Sequence, residues 1–125
     1  MTGLLLVAAG GALGSVGRYL LVTQAARWLG PDFPWGTFAV NLLGSFAMGI
    51  LMGAVAHYVV VGPQLRLFFA VGFLGGFTTF SSFSLDAVVL FERGDWLAGI
   101  AYVGGSVLAA LAAFCAGLAI WRLSA

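Results

Sequence analysis

Lysine is absent from this chain, cysteine and histidine occur once each, and only five basic and four acidic side chains are spread over 125 residues. Each shortage excludes a class of chemistry. Without lysine there is no phosphate-binding P-loop and no Schiff-base catalysis. The lone Cys115 permits neither a disulfide nor a thiolate metal site within one chain, and its apolar surroundings read as those of a small buried hydrophobe. His57 has no second histidine and no acidic neighbour, so it reads as an interfacial side chain and not as a metal ligand. Charged residues make up 7% of the chain, where a soluble domain has about a quarter. A net charge of +1 gives no footprint for nucleic acid. No paired nucleophile and base is present, which leaves an intramembrane enzyme without support.

What remains is apolar: 62% of the residues are hydrophobic. Gly30-Pro31-Asp32-Phe33-Pro34, Gly62-Pro63 and Glu92-Arg93-Gly94-Asp95 punctuate the chain, and their prolines and glycines oppose helix continuation. Asp95 is placed to cap the helix that follows. The predicted architecture is a single all-α transmembrane domain over residues 1–125, with helices at about 3–28, 36–61, 64–91 and 96–121. Each stretch exceeds the ~20 residues that cross a bilayer. Trp28, Trp35, Trp96 and Trp121 all fall at span ends, where indoles anchor at the membrane interface. The first stretch has no positive leader and stays apolar beyond Arg18, so it reads as a retained helix and not as a cleaved signal. Three tight connections leave no soluble domain, and no soluble protein partner is evident.

Arginines set the orientation of such a bundle. Arg66 and Arg122 fall on one membrane face, Arg27 and Arg93 on the other. The balance predicts insertion in both orientations and hence an antiparallel, dual-topology homodimer; the alternative is that the N-terminal helix alone fixes one orientation. Small residues recur every four positions at Gly10/Gly14, Ser45/Gly49/Gly53, Gly72/Gly76 and Gly105/Ala109/Ala113/Gly117, a spacing that lets helices approach closely in lipid.

The stretch Gly72–Ser84, GFLGGFTTFSSFS, places glycines and hydroxyls in the middle of the third span, where hydrocarbon cannot satisfy a loosened backbone. Phe80 and Phe83 share a helical face among Thr79, Ser81 and Ser82. The positive edge of an aromatic ring can meet a small anion, although ordinary packing is the commoner reason for such a pair. Asn41 and Ser45 share a face of the second helix, Tyr102 and Ser106 a face of the fourth. Asn41 either joins helices or donates to an anion. Together with Asn41 and the hydroxyls of the third helix, Tyr102 and Ser106 could form a polar track whose neutral donors pass an ion without trapping it. Arg18 within the first span costs about 3 kcal/mol on insertion scales. It either snorkels or faces a water-filled vestibule that attracts anions, the reading preferred here, with Asp86 as an available partner. Gly11-x-x-Gly14-x-x-Gly17 follows no strand and is not a nucleotide site.

Three ordered segments, GGALGSVGRY (10–19), GTFAVNLLGSFAMG (36–49) and GFLGGFTTFSSFS (72–84), resemble the signatures of the small bacterial fluoride channels, the Fluc or CrcB family, and the likeness spans essentially the whole chain. It implies a multi-pass protein of the bacterial inner membrane that assembles as an antiparallel homodimer with two fluoride pores. It further implies that Asn41 donates to fluoride, that Phe80 and Phe83 supply ring edges, and that Tyr102 and Ser106 belong to the polar track. The third helix would be broken at its centre, with the Gly75 and Thr78 carbonyls of both subunits holding one structural sodium ion. Arg18 matches the family's first-helix arginine near an aqueous entrance. Two positions depart from the pattern: Ala110 stands where a hydroxyl is expected one turn beyond Ser106, and Ser82 where threonine is frequent.

The expected function is passive, fluoride-selective export that relieves fluoride toxicity. A small proton-coupled multidrug exporter is a rival, but it wants an acid in the first helix, where only Arg18 stands. A non-transporting packing subunit would explain the glycine seams and leave the Thr/Ser/Phe cluster without a purpose.

Overall fold

The computed structural model describes residues 1–57 and 61–124. They form four helical spans, each long and apolar enough to cross a membrane. The first is α1 (Thr2–Leu29) and the second α2 (Trp35–Ala56). The third, Pro63–Glu92, consists of α3 (Pro63–Arg66), a π-helical stretch (Leu67–Leu74), α4 (Gly75–Phe77) and α5 (Phe80–Glu92). The fourth is α6 (Trp96–Ser124).

Punctuation residues end the helices where backbone chemistry requires it. Gly30 stops α1 at φ 83°, a left-handed conformation that costs glycine little, and its N–H still reaches the Ala26 carbonyl at 3.0 Å. Gly94 does the same between α5 and α6 at φ 78°. Asp95 contributes its backbone carbonyl to α6, accepting from Gly99 N–H at 2.9 Å. The two turns on this face are tied together: Arg93 Nη2 donates to the Asp32 carbonyl at 2.6 Å. The second helix is shorter than its apolar run. It ends at Ala56, with His57 in a turn, and Val61 and Gly62 are not helical. The part of the expected helix that falls on residues 58–60 lies outside the described residues.

Close helix approach, more than bulky side chains, holds the bundle together, because lipid is as apolar as leucine and offers little hydrophobic drive for helix association. Gly10 and Gly14 of α1 lie against the backbone of Phe68, Phe73 and Phe77, and Gly76 lies against Gly11. Between α2 and α6 the same device recurs: Gly49 abuts the Phe114 carbonyl, Gly117 the backbone of Phe46 and Ile50, and Gly53 the Trp121 indole. The small-residue spacing in the first, second and third spans therefore serves contacts within the chain. Gly105, in the fourth-span series, has no atom within 4 Å of where a Cβ would stand.

Few large side chains are fully enclosed; Val40, Leu90 and Tyr102 are. Leu90 and Tyr102 form a small cluster with Ala87, packed by Phe33, Phe83 and Phe91. Most of the apolar surface points outward, as lipid permits. Cys115, expected to be buried, is exposed on α6, because a thiol on a lipid-facing surface incurs no penalty that would drive it inside.

Candidate functional site

The third span is interrupted in its middle. Thr78 (φ −83°, ψ 157°) and Thr79 (φ −151°, ψ 119°) are extended between α4 and α5. An extended pair inside a membrane leaves donors and acceptors that lipid cannot satisfy. Asn41, one helix away and 38 residues earlier, takes up part of them: its Nδ2 donates to the Thr79 carbonyl at 3.1 Å and its Oδ1 accepts from Thr79 N–H at 2.8 Å. The Thr79 side chain then caps α5, its Oγ1 accepting from Ser82 N–H at 3.1 Å. Thr78 Oγ1 turns back to the Leu74 carbonyl at 2.9 Å.

These bonds leave particular carbonyls open. In a continuous helix Thr79 N–H would serve Gly75 and Ser82 N–H would serve Thr78. Both donors are diverted, one to Asn41 and the other to Thr79 Oγ1. The carbonyls of Gly75 and Thr78 thus lack their helical partners, and Gly75 lies exposed on the surface of the bundle. Neutral carbonyl oxygens near a break have the donor chemistry that a hard monovalent cation accepts. Among the described residues no cluster of histidine, cysteine and carboxylate side chains could hold a metal ion.

A cavity of about 240 Å³ opens beside the break. Asn41, Thr79, Phe80, Phe83 and Ser106 all line it, so five of the residues expected along the anion path are brought together. The rings of Phe80 and Phe83 lie 5.6 Å apart at 39°, and Phe80 is 79% exposed, turned out of the bundle. Ser106 is only 7% exposed and its Oγ has no hydrogen-bond partner among the described residues. An unpaired buried hydroxyl costs roughly 1–3 kcal/mol, and a ligand in the cavity would relieve it. Tyr102 is enclosed next to this space. It packs on Phe83 at 5.2 Å, and its hydroxyl donates to Asp86 Oδ2 over a long 3.3 Å. Asp86 is thus engaged by Tyr102, not by Arg18. Ser81 is not brought into the cavity; it is exposed and reaches the site only through its 3.3 Å approach to Thr79 Oγ1.

Arg18 lines a second cavity of about 310 Å³, together with Ser15, Thr37, Thr79 and Ser82. Thr79 borders both cavities, so the broken backbone stands between the arginine and the phenylalanine pair. Thr37 escaped the sequence reading, although the signal was present. Thr37, Asn41 and Ser45 follow one another at intervals of four and form one polar stripe on α2.

Four apolar spans are what a multi-pass membrane protein requires, and the sequence comparison points the same way. Residues 5–118 match the profile described as CrcB-like protein, Camphor Resistance (CrcB). The chain belongs to the CrcB family. Curated CrcB relatives match it over nearly their whole length. A protein of Rhizobium etli named fluoride-specific ion channel FluC is 54% identical over 118 residues, 94% of each chain. A protein of the same name from Phenylobacterium zucineum is 54% identical over 123 residues, 98% of this chain and 97% of its own. One from Agrobacterium fabrum is 52% identical over 122 residues, 98% of each. With four spans and these relatives, the chain is a multi-pass bacterial membrane protein of the CrcB family.

Proposed function

We propose that this CrcB protein is a fluoride-selective channel that lets cytoplasmic fluoride leave the cell passively. The observation that carries this reading is the cavity at the helix break, where an amide, an orphaned hydroxyl and two phenylalanine rings converge with no fixed charge. A small, strongly hydrated anion needs donors at each step to replace its water, yet a fixed cation at the narrowest point would hold it. Asn41 retains a second Nδ2 proton beyond the one given to Thr79, Ser106 Oγ is free to donate, and the ring edges of Phe80 and Phe83 present positive potential. Thr79 connects this cavity to the vestibule of Arg18, which raises the local anion concentration without closing on the path. Tyr102 extends the track on α6, and Ser81 takes part through Thr79. Fluoride that enters as neutral HF and ionises inside is then driven outward by the membrane potential, about 2.3 kcal/mol per 100 mV.

The functional unit in this reading is an antiparallel homodimer in the inner membrane. The outward-turned Phe80 and the exposed Gly75 support a second copy facing the break. The carbonyls of Gly75 and Thr78 from both subunits would hold one sodium ion, a structural cation that neutralises the opened backbone. Four carbonyls suit a monovalent ion better than calcium, which prefers 6–8 oxygens including carboxylates.

Fluoride efflux from liposomes that contain the purified protein tests the function. Rapid loss of trapped fluoride is expected, with chloride retained in parallel vesicles. Equal release of both ions, or release of neither, would overturn the reading.

A further inference from the structure

The cavity at the break continues past Ser106 to Val107 and Ala110 of α6. There α6 offers only apolar side chains, so an anion leaving Ser106 in this direction would lose its donors from that wall. The opposite wall belongs to α2. The two helices run in the same direction, since Gly49 abuts the Phe114 backbone and, one turn further along α2 and two along α6, Gly53 abuts the Trp121 side chain. One turn back from Gly49 and Phe114 are Ser45 and Ala110; a further turn back are Asn41 and Ser106. Ser45 and Ala110 both line the cavity.

The hydroxyl of Ser45 is also uncommitted. Serine and threonine within a helix commonly bond the carbonyl four residues earlier, as Thr78, Ser84 and Ser124 do at 2.9, 3.0 and 3.0 Å. Ser45, half-buried, makes no such bond among the described residues. An exposed serine can leave that bond to water, whereas one on a cavity wall in a membrane has only the cavity's contents as partner.

We infer that Ser45 is an anion-coordinating residue of the permeation path, supplying from α2 the donor that α6 lacks at Ala110. The inference rests on the channel reading above and adds a residue to it. The polar wall of the path thereby changes helices: Asn41 and Ser106 share the central level, and α2 alone carries the donor at the next. Ser45 has no positional competition from Asn41, whose amide is turned towards Thr79. Because either wall could present a hydroxyl at this level, the site of the donor is exchangeable. Moving it from Ser45 to position 110 changes the wall but not the number of donors.

Fluoride efflux from liposomes, measured on the full-length wild type and on three variants, tests the assignment. Ser45→Ala is expected to slow efflux about tenfold, the factor corresponding to loss of one hydrogen bond to a charged group, with unchanged elution of the protein in detergent. Ala110→Ser in the Ser45→Ala background is expected to recover most of the loss, whereas Ala110→Ser alone leaves the path conducting. Wild-type vesicles that release fluoride together with unaltered efflux from Ser45→Ala would overturn the role of Ser45 and leave the channel intact. A loss that Ala110→Ser does not repair would reduce Ser45 to a packing residue. Absence of fluoride efflux from wild-type vesicles would overturn the channel reading, and this inference with it.

Discussion

At the scale of single residues, Asn41 serves two purposes that are separable in principle. Its carboxamide matches the Thr79 peptide as one backbone strand matches another, giving an acceptor to the N–H and a donor to the carbonyl. The remaining amide proton is what the anion path would use. Asn41→Asp keeps the acceptor for Thr79 N–H, removes both Nδ2 donors and introduces a possible anion. The stability cost is that of a buried carbonyl left without its donor, about 1–3 kcal/mol, while like-charge repulsion should abolish fluoride efflux. A folded, monodisperse variant with no efflux is expected from size-exclusion chromatography and vesicle assays. Undiminished efflux would assign Asn41 to the backbone alone. The sequence could show that an asparagine in a membrane span needs partners, but not that its partner is a peptide 38 residues away, since no local spacing encodes that contact. The hydroxyls were similarly visible as a set. The separation of Ser82, beside Arg18, from Ser81, outside both cavities, depends on how α5 is turned after the break.

At the scale of helices, glycine determines how the spans meet. The α2–α6 contact brings Gly49 against the Phe114 carbonyl and Gly117 against Ile50, so even one methyl group must push the two backbones apart. Gly49→Ala should therefore destabilise the bundle by about 1–3 kcal/mol, the usual cost of overpacking. Gly62→Ala, where a Cβ would meet nothing within 4 Å among the described residues, should not. Thermal unfolding in detergent distinguishes the two, and equal midpoints would show that the α2–α6 seam tolerates the extra atom. The four-residue spacing made these seams legible in the chain, and Gly30 with Pro31 marked the end of α1 unambiguously. The π-helical stretch was not legible: LFFAVGFL is uniformly apolar, and nothing in it distinguishes one backbone winding from another. Cys115 illustrates the same loss of information. In water an apolar neighbourhood signals burial, whereas in lipid it is equally compatible with an outward face.

At the scale of the whole molecule, the arrangement of charge bears on assembly. Arg66 and Arg122 oppose Arg27 and Arg93 across the bundle, and no lysine tips the balance. The positive-inside rule counts basic residues near short loops, so an even count gives neither orientation an advantage. A chain inserted both ways can meet a copy of itself head to tail, which would bring two helix breaks together with their open carbonyls facing. Reporter tags on the C-terminus should then be found on both sides of the membrane in comparable amounts. Two lysines added beside Arg66 should draw that face to the cytoplasm, leaving few antiparallel pairs and little fluoride efflux. Coexpression with a variant carrying two lysines beside Arg93, biased the other way, should restore efflux by pairing the two orientations. A wild-type tag confined to one side, or full efflux from either biased variant alone, would exclude the antiparallel dimer. The Asn41–Thr79 clamp would be unaffected, because both of its partners belong to one chain.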